Sequence, residues 1–288
     1  MGPFGCEDAE DVRSSGTRCQ FELLVDQGSR QSTFAAFARG CPREQTGRCR
    51  RSVEDVELGA QRRTPPSRGH ESAPQQMTVA LDPLFQSALD ALAFPGVLIG
   101  HRLISPGDEH ALLPEEAPAF ASSVVKVRRA SGAARIAVRQ LLARLGYPEC
   151  PVPRATSGAP VWPGGVVGSL AHDARVAVAA VGRSRDVAAL GIDVEPAQCL
   201  PPELMDVIAT PRERLEIGND AFRGRLLFAA KEAVYKAVYP LDQTFLEHHD
   251  VQINFVDRKA IVRNGRVVDI RFSVSSHLVA LAFLPGPR

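Results

Sequence analysis

Two helix-like stretches, each followed by a series of strand-like runs, constrain this chain more than any other feature. Between residues 127 and 145, Ala130, Ala133, Ala134, Ala137, Val138, Leu141, Leu142 and Leu145 recur at helical spacing, and Gly146 supplies a stop. Strand-like runs follow at 166–170, 176–181 and 189–194. Thr210-Pro-Arg-Glu213 then reads as a helix start, with Thr as N-cap, Pro at the first position and Glu at the third. The next helix carries Glu232 and is expected to end before Pro240, which cannot continue the hydrogen-bond ladder. Alternating runs at 251–256, 260–263, 267–274 and 278–284 close the chain, and Asn264-Gly265 is a two-residue hairpin signal between the second and third. A short amphipathic helix over 81–93 and a strand over 97–104 precede all of these. The order helix, strands, helix, strands predicts an α+β fold of two similar halves, 77–182 and 183–288, joined near residues 183–190.

Residues 1–76 stand apart. They hold 11 Arg, no Lys, 11 acidic residues and four of the six cysteines, and residues 62–76 read as unstructured. Helix-like patterning begins just after Met77, the next methionine after Met1. We expect an unstructured extension or a start site placed too far upstream. From residue 77 onward, 23 basic and 22 acidic side chains nearly balance, and the whole chain carries a net charge of +1. Such a balance gives no overall bias toward nucleic acid or a membrane surface, so any phosphate binding must be local. No apolar run reaches the roughly 18 residues of a membrane span, no secretory signal is evident, and a cytoplasmic location is expected. The cysteines form no C-x₂₋₄-C pair, which disfavours a zinc site.

The densest chemistry lies in Gly191-Ile-Asp193-Val-Glu195-Pro and Phe228-Ala-Ala-Lys231-Glu232-Ala-Val-Tyr235-Lys236. On a strand, residues two apart share a face, so Asp193 and Glu195 project together. On a helix, Glu232 and Lys236 share a face, and alone they would be an ordinary i,i+4 pair worth a few tenths of a kcal/mol, or about 0.3. With Asp193 and Glu195 added, three carboxylates converge on one ammonium. A divalent cation relieves that excess, and an all-oxygen donor set suits Mg²⁺ with a phosphate co-ligand.

A second group precedes it. Trp162-Pro163-Gly-Gly-Val-Val-Gly168-Ser169-Leu-Ala-His172 brings glycine, a hydroxyl and an imidazole to a strand end. Glycine admits a ligand to the backbone, while Ser169 and His172 can bond phosphate oxygens. The run lacks the GK[ST] ending of a P-loop. Taken singly, Trp162 suits a core, His172 a structural role, and Arg135 and Arg139 a solvated helix face.

Together, Trp-Pro-x-Gly-Val-Val-Gly-Ser-x-x-His, Leu-Gly-Ile-Asp-Val-Glu-Pro and Phe-x-x-Lys-Glu-Ala-x-x-Lys resemble the 4′-phosphopantetheinyl transferases, in order, over residues 77–288. The chain is most similar to the monomeric, enterobactin-synthase-component-D-like branch. The resemblance implies a pseudo-twofold fold with the active site between the halves, and a monomer acting in secondary metabolism such as siderophore biosynthesis. It implies transfer of 4′-phosphopantetheine from coenzyme A to a serine of an apo acyl or peptidyl carrier protein. By position it makes Asp193, Glu195 and Glu232 ligands of Mg²⁺, with Glu232 also the general base. Lys236 would steady the leaving phosphate, His172 the coenzyme A pyrophosphate with Ser169 nearby, and Arg135 and Arg139 the 3′-phosphate. Ser157 stands where many relatives carry a basic residue, leaving Arg154 for that role. Apolar residues in segments 209–215 and 222–227 are a candidate docking surface for the carrier, with a contribution to the core as the alternative reading. The rival classes are another Mg²⁺-dependent enzyme acting on a nucleotide pyrophosphate and a non-catalytic carrier-binding module.

Overall fold

The computed structural model describes residues 83–287, so the expectation for residues 1–76 falls outside it. In chain order the elements are α1 (Pro83–Asp90), β1 (Val97–Leu103), two 3₁₀ turns, α2 (Val125–Arg144), β2 (Val166–His172), β3 (Val176–Arg183) and β4 (Val187–Pro196). Then come α3 (Pro202–Ile208), α4 (Pro211–Ile217), α5 (Ala221–Asp242), a 3₁₀ turn at His248–Asp250, β5 (Val251–Asn254), β6 (Lys259–Val262), β7 (Val267–Val274) and β8 (His277–Pro285). The architecture is α+β, as the pattern predicted.

The first three strands form one antiparallel sheet in the order β1-β3-β2, and the other five a second in the order β4-β8-β7-β6-β5. Period-2 alternation explains how each sheet serves two faces. Along β3, Ala179 and Val181 pack with Ala137, Val138 and Leu141 of α2. Val178 and Ala180 turn the other way, into a cluster with Leu190, Ile192 and Val194 of β4 and Val279 and Leu281 of β8. On the far face of the second sheet, Ala189, Ala280 and Ala282 meet Ala229, Ala230 and Ala233 of α5. The layers therefore run helix, sheet, sheet, helix. Central strands covered on both sides must be apolar on both, and β3 is buried from Val176 to Gly182.

Small residues set the spacing between β4 and α5. A Cβ at Gly191 would lie 1.8 Å from the Ala233 carbonyl oxygen and 2.7 Å from the Ala237 nitrogen, so strand and helix backbones touch there. The open edge of β4 lies against β2, where Ser169 Oγ accepts the Ile192 amide at 3.0 Å. Helix α4 begins with the expected capping box, Glu213 N donating to Thr210 Oγ1 and Thr210 N to Glu213 Oε2.

Two local expectations needed correction. Helix α5 runs past Pro240 to Asp242, because the proline sits in the last turn and removes only one ladder bond there. Gln243 then ends the helix in the left-handed region (φ 52°), its amide donating to Tyr239 O at 2.8 Å. Between β6 and β7 the connection is one residue longer than the Asn-Gly signal implies. Val262 N bonds Arg266 O at 2.9 Å and Gly265 N bonds Val262 O at 2.8 Å, leaving three residues in the loop. Among the described residues no helix is long and apolar enough to cross a membrane.

Candidate active site

β4 turns Asp193 and Glu195 toward α5, the face already used by Ala189 and Gly191. From α5, Arg225, Glu232 and Lys236 answer, since residues seven and eleven apart return to one helix face. Lys236 Nζ donates to Asp193 Oδ1 at 2.5 Å and to Ile192 O at 3.3 Å. Asp193 Oδ2 is buried and has no hydrogen-bond partner among the described residues. Arg225 Nη1 donates to Glu195 Oε2 at 2.9 Å, and its Nη2 to Cys199 O at 3.2 Å. Glu232 Oε1 lies 3.9 Å from His248 Nε2.

The electrostatics are those of crowded, buried acids. Burial pushes the Glu195 carboxyl up to about 8; the Asp193 charge adds to this and Arg225 opposes it. Glu232 is pushed up to about 7, again by burial first and then by Asp193. Asp193 is itself raised by burial against the pull of Lys236. Burial disfavours the Lys236 charge, but Asp193 and Glu232 outweigh it and hold its pKa above the usual lysine value. At neutral pH, then, these acids resist ionising together without further positive charge. Among the described residues no group of three or more His, Cys, Asp or Glu side chains is already arranged as a metal site. The donors nonetheless suit one. They are hard carboxylate oxygens, and the unpartnered Asp193 Oδ2 is the kind of buried acceptor a divalent cation satisfies.

His172 ends β2 beside this cluster. Burial lowers its pKa, and the positive charges of Lys236 and Arg135 push the same way, so it is a neutral imidazole at pH 7. Its neighbour Asp173 closes the β2–β3 turn, accepting from Arg175 N (2.7 Å) and Val176 N (2.8 Å), while Oδ2 lies 3.0 Å from His277 Nε2 at the start of β8.

Other residues singled out in the sequence have internal partners. Glu116, fully buried, accepts from Leu113 N (2.9 Å), Val152 N (2.8 Å) and Arg139 Nη1 (2.9 Å). Arg139 also donates to Ala111 O at 2.7 Å. Arg135 is 5% exposed, donates to Val152 O (3.2 Å) and Ser131 O (3.3 Å), and stacks over Phe120. Burial lowers its pKa to about 10 despite Glu116. Both guanidiniums thus tie α2 to segment 111–116 and to Val152. Arg154 donates to Gly158 O at 3.2 Å, beside the exposed Ser157. Gly168 makes room for Trp162 rather than for a ligand, since a Cβ there would lie 2.8 Å from the indole. In the expected docking segments, Ala209 and Leu227 are core, whereas Leu215 is 88% exposed.

The first lysine of the helix motif has a different environment from the second. Lys231 Nζ donates to Glu213 Oε2 (2.7 Å), Ile208 O (2.8 Å) and His248 O (2.8 Å), and Glu213 Oε1 accepts from Ile253 N at 2.7 Å. Every polar valence is used, so this pair is a brace joining α4, α5 and β5. Arg225 is the residue that sequence reasoning missed. Its signal was there, seven residues before Glu232 on the same helical stripe.

The chain matches the model of the 4′-phosphopantetheinyl transferase N-terminal domain over residues 115–182 and that of the 4′-phosphopantetheinyl transferase superfamily over residues 189–282. It is 38% identical over 169 residues to the 4′-phosphopantetheinyl transferase Npt of Nocardia iowensis, spanning 58% of this chain and 71% of that one. The chain belongs to the 4′-phosphopantetheinyl transferase superfamily. Within it, the chain is 42% identical over 147 residues to the 4′-phosphopantetheinyl transferase PptT of Mycobacterium tuberculosis (strain ATCC 25618 / H37Rv), covering 50% of this chain and 65% of the relative. It is 40% identical over 156 residues to the 4′-phosphopantetheinyl transferase Svp of Streptomyces mobaraensis, covering 52% and 63%. The matched region thus spans just under two thirds of each of these two superfamily members. The two superfamily matches divide at residues 182 and 189, the connection between β3 and β4 where one sheet gives way to the other.

Proposed function

We propose that this chain transfers the 4′-phosphopantetheine arm of coenzyme A to a serine hydroxyl of an apo acyl or peptidyl carrier protein, releasing adenosine 3′,5′-bisphosphate. The observation that carries the reading is the Asp193–Lys236 pair, which leaves a buried carboxylate oxygen with no partner among the described residues, beside Glu195 and Glu232. Superfamily membership supplies the chemical context.

In this reading Asp193, Glu195 and Glu232 would hold Mg²⁺, which would supply charge neutralisation of the pyrophosphate and polarisation of the attacked phosphorus. Glu232 takes the serine proton. Without a bound cation burial pushes its carboxyl up to about 7, and a bound cation would favour the carboxylate form that can accept the proton. Lys236, fixed by Asp193, supplies positive charge to offset the negative charge accumulating on the leaving phosphate. Neutral His172 donates one N–H to the pyrophosphate. Ser169, already accepting from Ile192, aligns β2 with β4 and so His172 with Asp193. Arg135 and Arg139 enter as residues that fix segment 111–116 against α2, with their guanidiniums given to Glu116 and backbone carbonyls. The chain acts as a monomer in the cytoplasm, and the exposed Leu215 belongs to the face that meets the carrier.

The test is a panel of apo-carriers incubated with coenzyme A and Mg²⁺ and read by intact mass. The expected result is a gain of one phosphopantetheine arm on at least one carrier, abolished by EDTA. Release of a nucleotide with every carrier left at its apo mass would instead support a different pyrophosphate-cleaving enzyme. Carrier capture without either product would support a binding module.

A further inference from the structure

Among the described residues two cations serve the acidic cluster, and the second has no assigned part in the proposed chemistry. Arg225 is 4% exposed and reaches Glu195 from the first turns of α5. Its place follows from the way strand and helix cross. From the contact at Gly191, four residues along β4 cover about 13 Å to Glu195. Eight residues back along α5 from Ala233 cover about 12 Å to Arg225. A basic side chain at this helical position is therefore brought level with the second carboxylate.

The two cations act alike. Lys236 occupies Asp193 Oδ1, leaving Oδ2 to the cluster, and Arg225 occupies Glu195 Oε2, leaving Oε1. The guanidinium is itself anchored by the Cys199 carbonyl, just beyond the end of β4. A carboxylate held through one oxygen by an immobilised donor keeps few orientations for the other. Such outer partners tune metal sites as strongly as some ligands do. The charge also balances better than the sequence suggested. Among the described residues three carboxylates meet two fixed cations, so one divalent ion would bring this group to net positive, ready for a pyrophosphate.

We propose that Arg225 is a positioning residue that orients Glu195 for the divalent cation. The inference rests on the proposed cation site and assigns that site a residue outside its ligands. It predicts that Arg225→Met in the full chain weakens Mn²⁺ binding, followed by electron paramagnetic resonance of free Mn²⁺, by about 10- to 100-fold. Arg225→Lys should fall in between, because an ammonium can meet Glu195 but lacks the fork that also bonds Cys199 O. A purely structural role would lower the melting temperature and leave the Mn²⁺ dissociation constant unchanged, and that result overturns the proposal. If Arg225→Met lacks the wild-type circular dichroism spectrum, Arg225→Gln and Arg225→Lys decide by the same measurement, with wild-type affinity in both overturning it. Wild-type protein that binds no Mn²⁺ overturns the cation site itself, and with it the role of Arg225.

Discussion

Lys231 and Lys236 lie five residues apart on one helix, and their surroundings teach opposite lessons. Lys231 meets three acceptors, and its partner Glu213 is in turn filled by Thr210 N and Ile253 N. Lys236 meets Asp193, whose second oxygen is buried with no partner among the described residues, with two more acids raised toward neutral pH nearby. A buried polar cluster with every valence used holds a fold together. One with valences left over is held together by the rest of the fold and is kept for something that binds.

The comparison breaks most sharply at the incomplete cluster. Asp193→Asn or Glu232→Gln should cut phosphopantetheine transfer by at least about a hundredfold, the scale of losing a positioned base or ligand, while circular dichroism stays that of the wild type. Near-normal transfer by either purified variant would overturn the site.

At the complete cluster the expected loss is stability. Lys231→Met leaves Glu213 buried and uncompensated and should cost about 3–5 kcal/mol in urea unfolding. Adding Glu213→Gln should recover part of that, because the neutral amide needs no counter-charge. Lys236→Met should unfold the protein less readily than Lys231→Met. Equal destabilisation by the two would erase the distinction drawn between them.

Titration sharpens the same contrast. Glu195 and Glu232 have folded-state values raised to about 8 and about 7, so the folded state holds their protons more tightly than the unfolded chain. The stability they contribute is complete below their ordinary value of 4.5 and is lost as pH rises through 7 to 8. His248, lowered to about 4 by burial, works in the opposite direction, its contribution complete above 6.5. Between pH 6.5 and 8 the carboxylates therefore dominate. The melting temperature in EDTA should fall across that window, and millimolar Mg²⁺ should flatten the slope. A flat profile in EDTA would contradict the assignment.

The smallest effect belongs to the rim of the brace. Thr210→Ala removes only the cap bond to Glu213 N and should cost about 1 kcal/mol by denaturant unfolding. A much larger loss would mean that Thr210 belongs to the brace itself.

Much of this was legible before folding. The Ala and Leu stripe of α2, the capping box of α4 and the apolar run of β4 are local patterns, and they formed where expected within a few residues. The acids and Lys236 were legible as well, because period 2 on a strand and i,i+4 on a helix dictate which side chains share a face. Pro240 and the β6–β7 loop were misjudged, since a helix end and a turn depend on bonds one residue either way.

What the sequence determined by itself is which residues share a face: Asp193 with Glu195 and Glu232 with Lys236. What only the tertiary structure decided is whose charge meets whose. Arg135 and Arg139, expected at a phosphate, turned inward to Glu116 and carbonyls, and Arg225 came to Glu195 across 30 residues of chain. Faces follow from local backbone geometry. The partner of a long cationic side chain follows from where layers cross, and no local pattern records that.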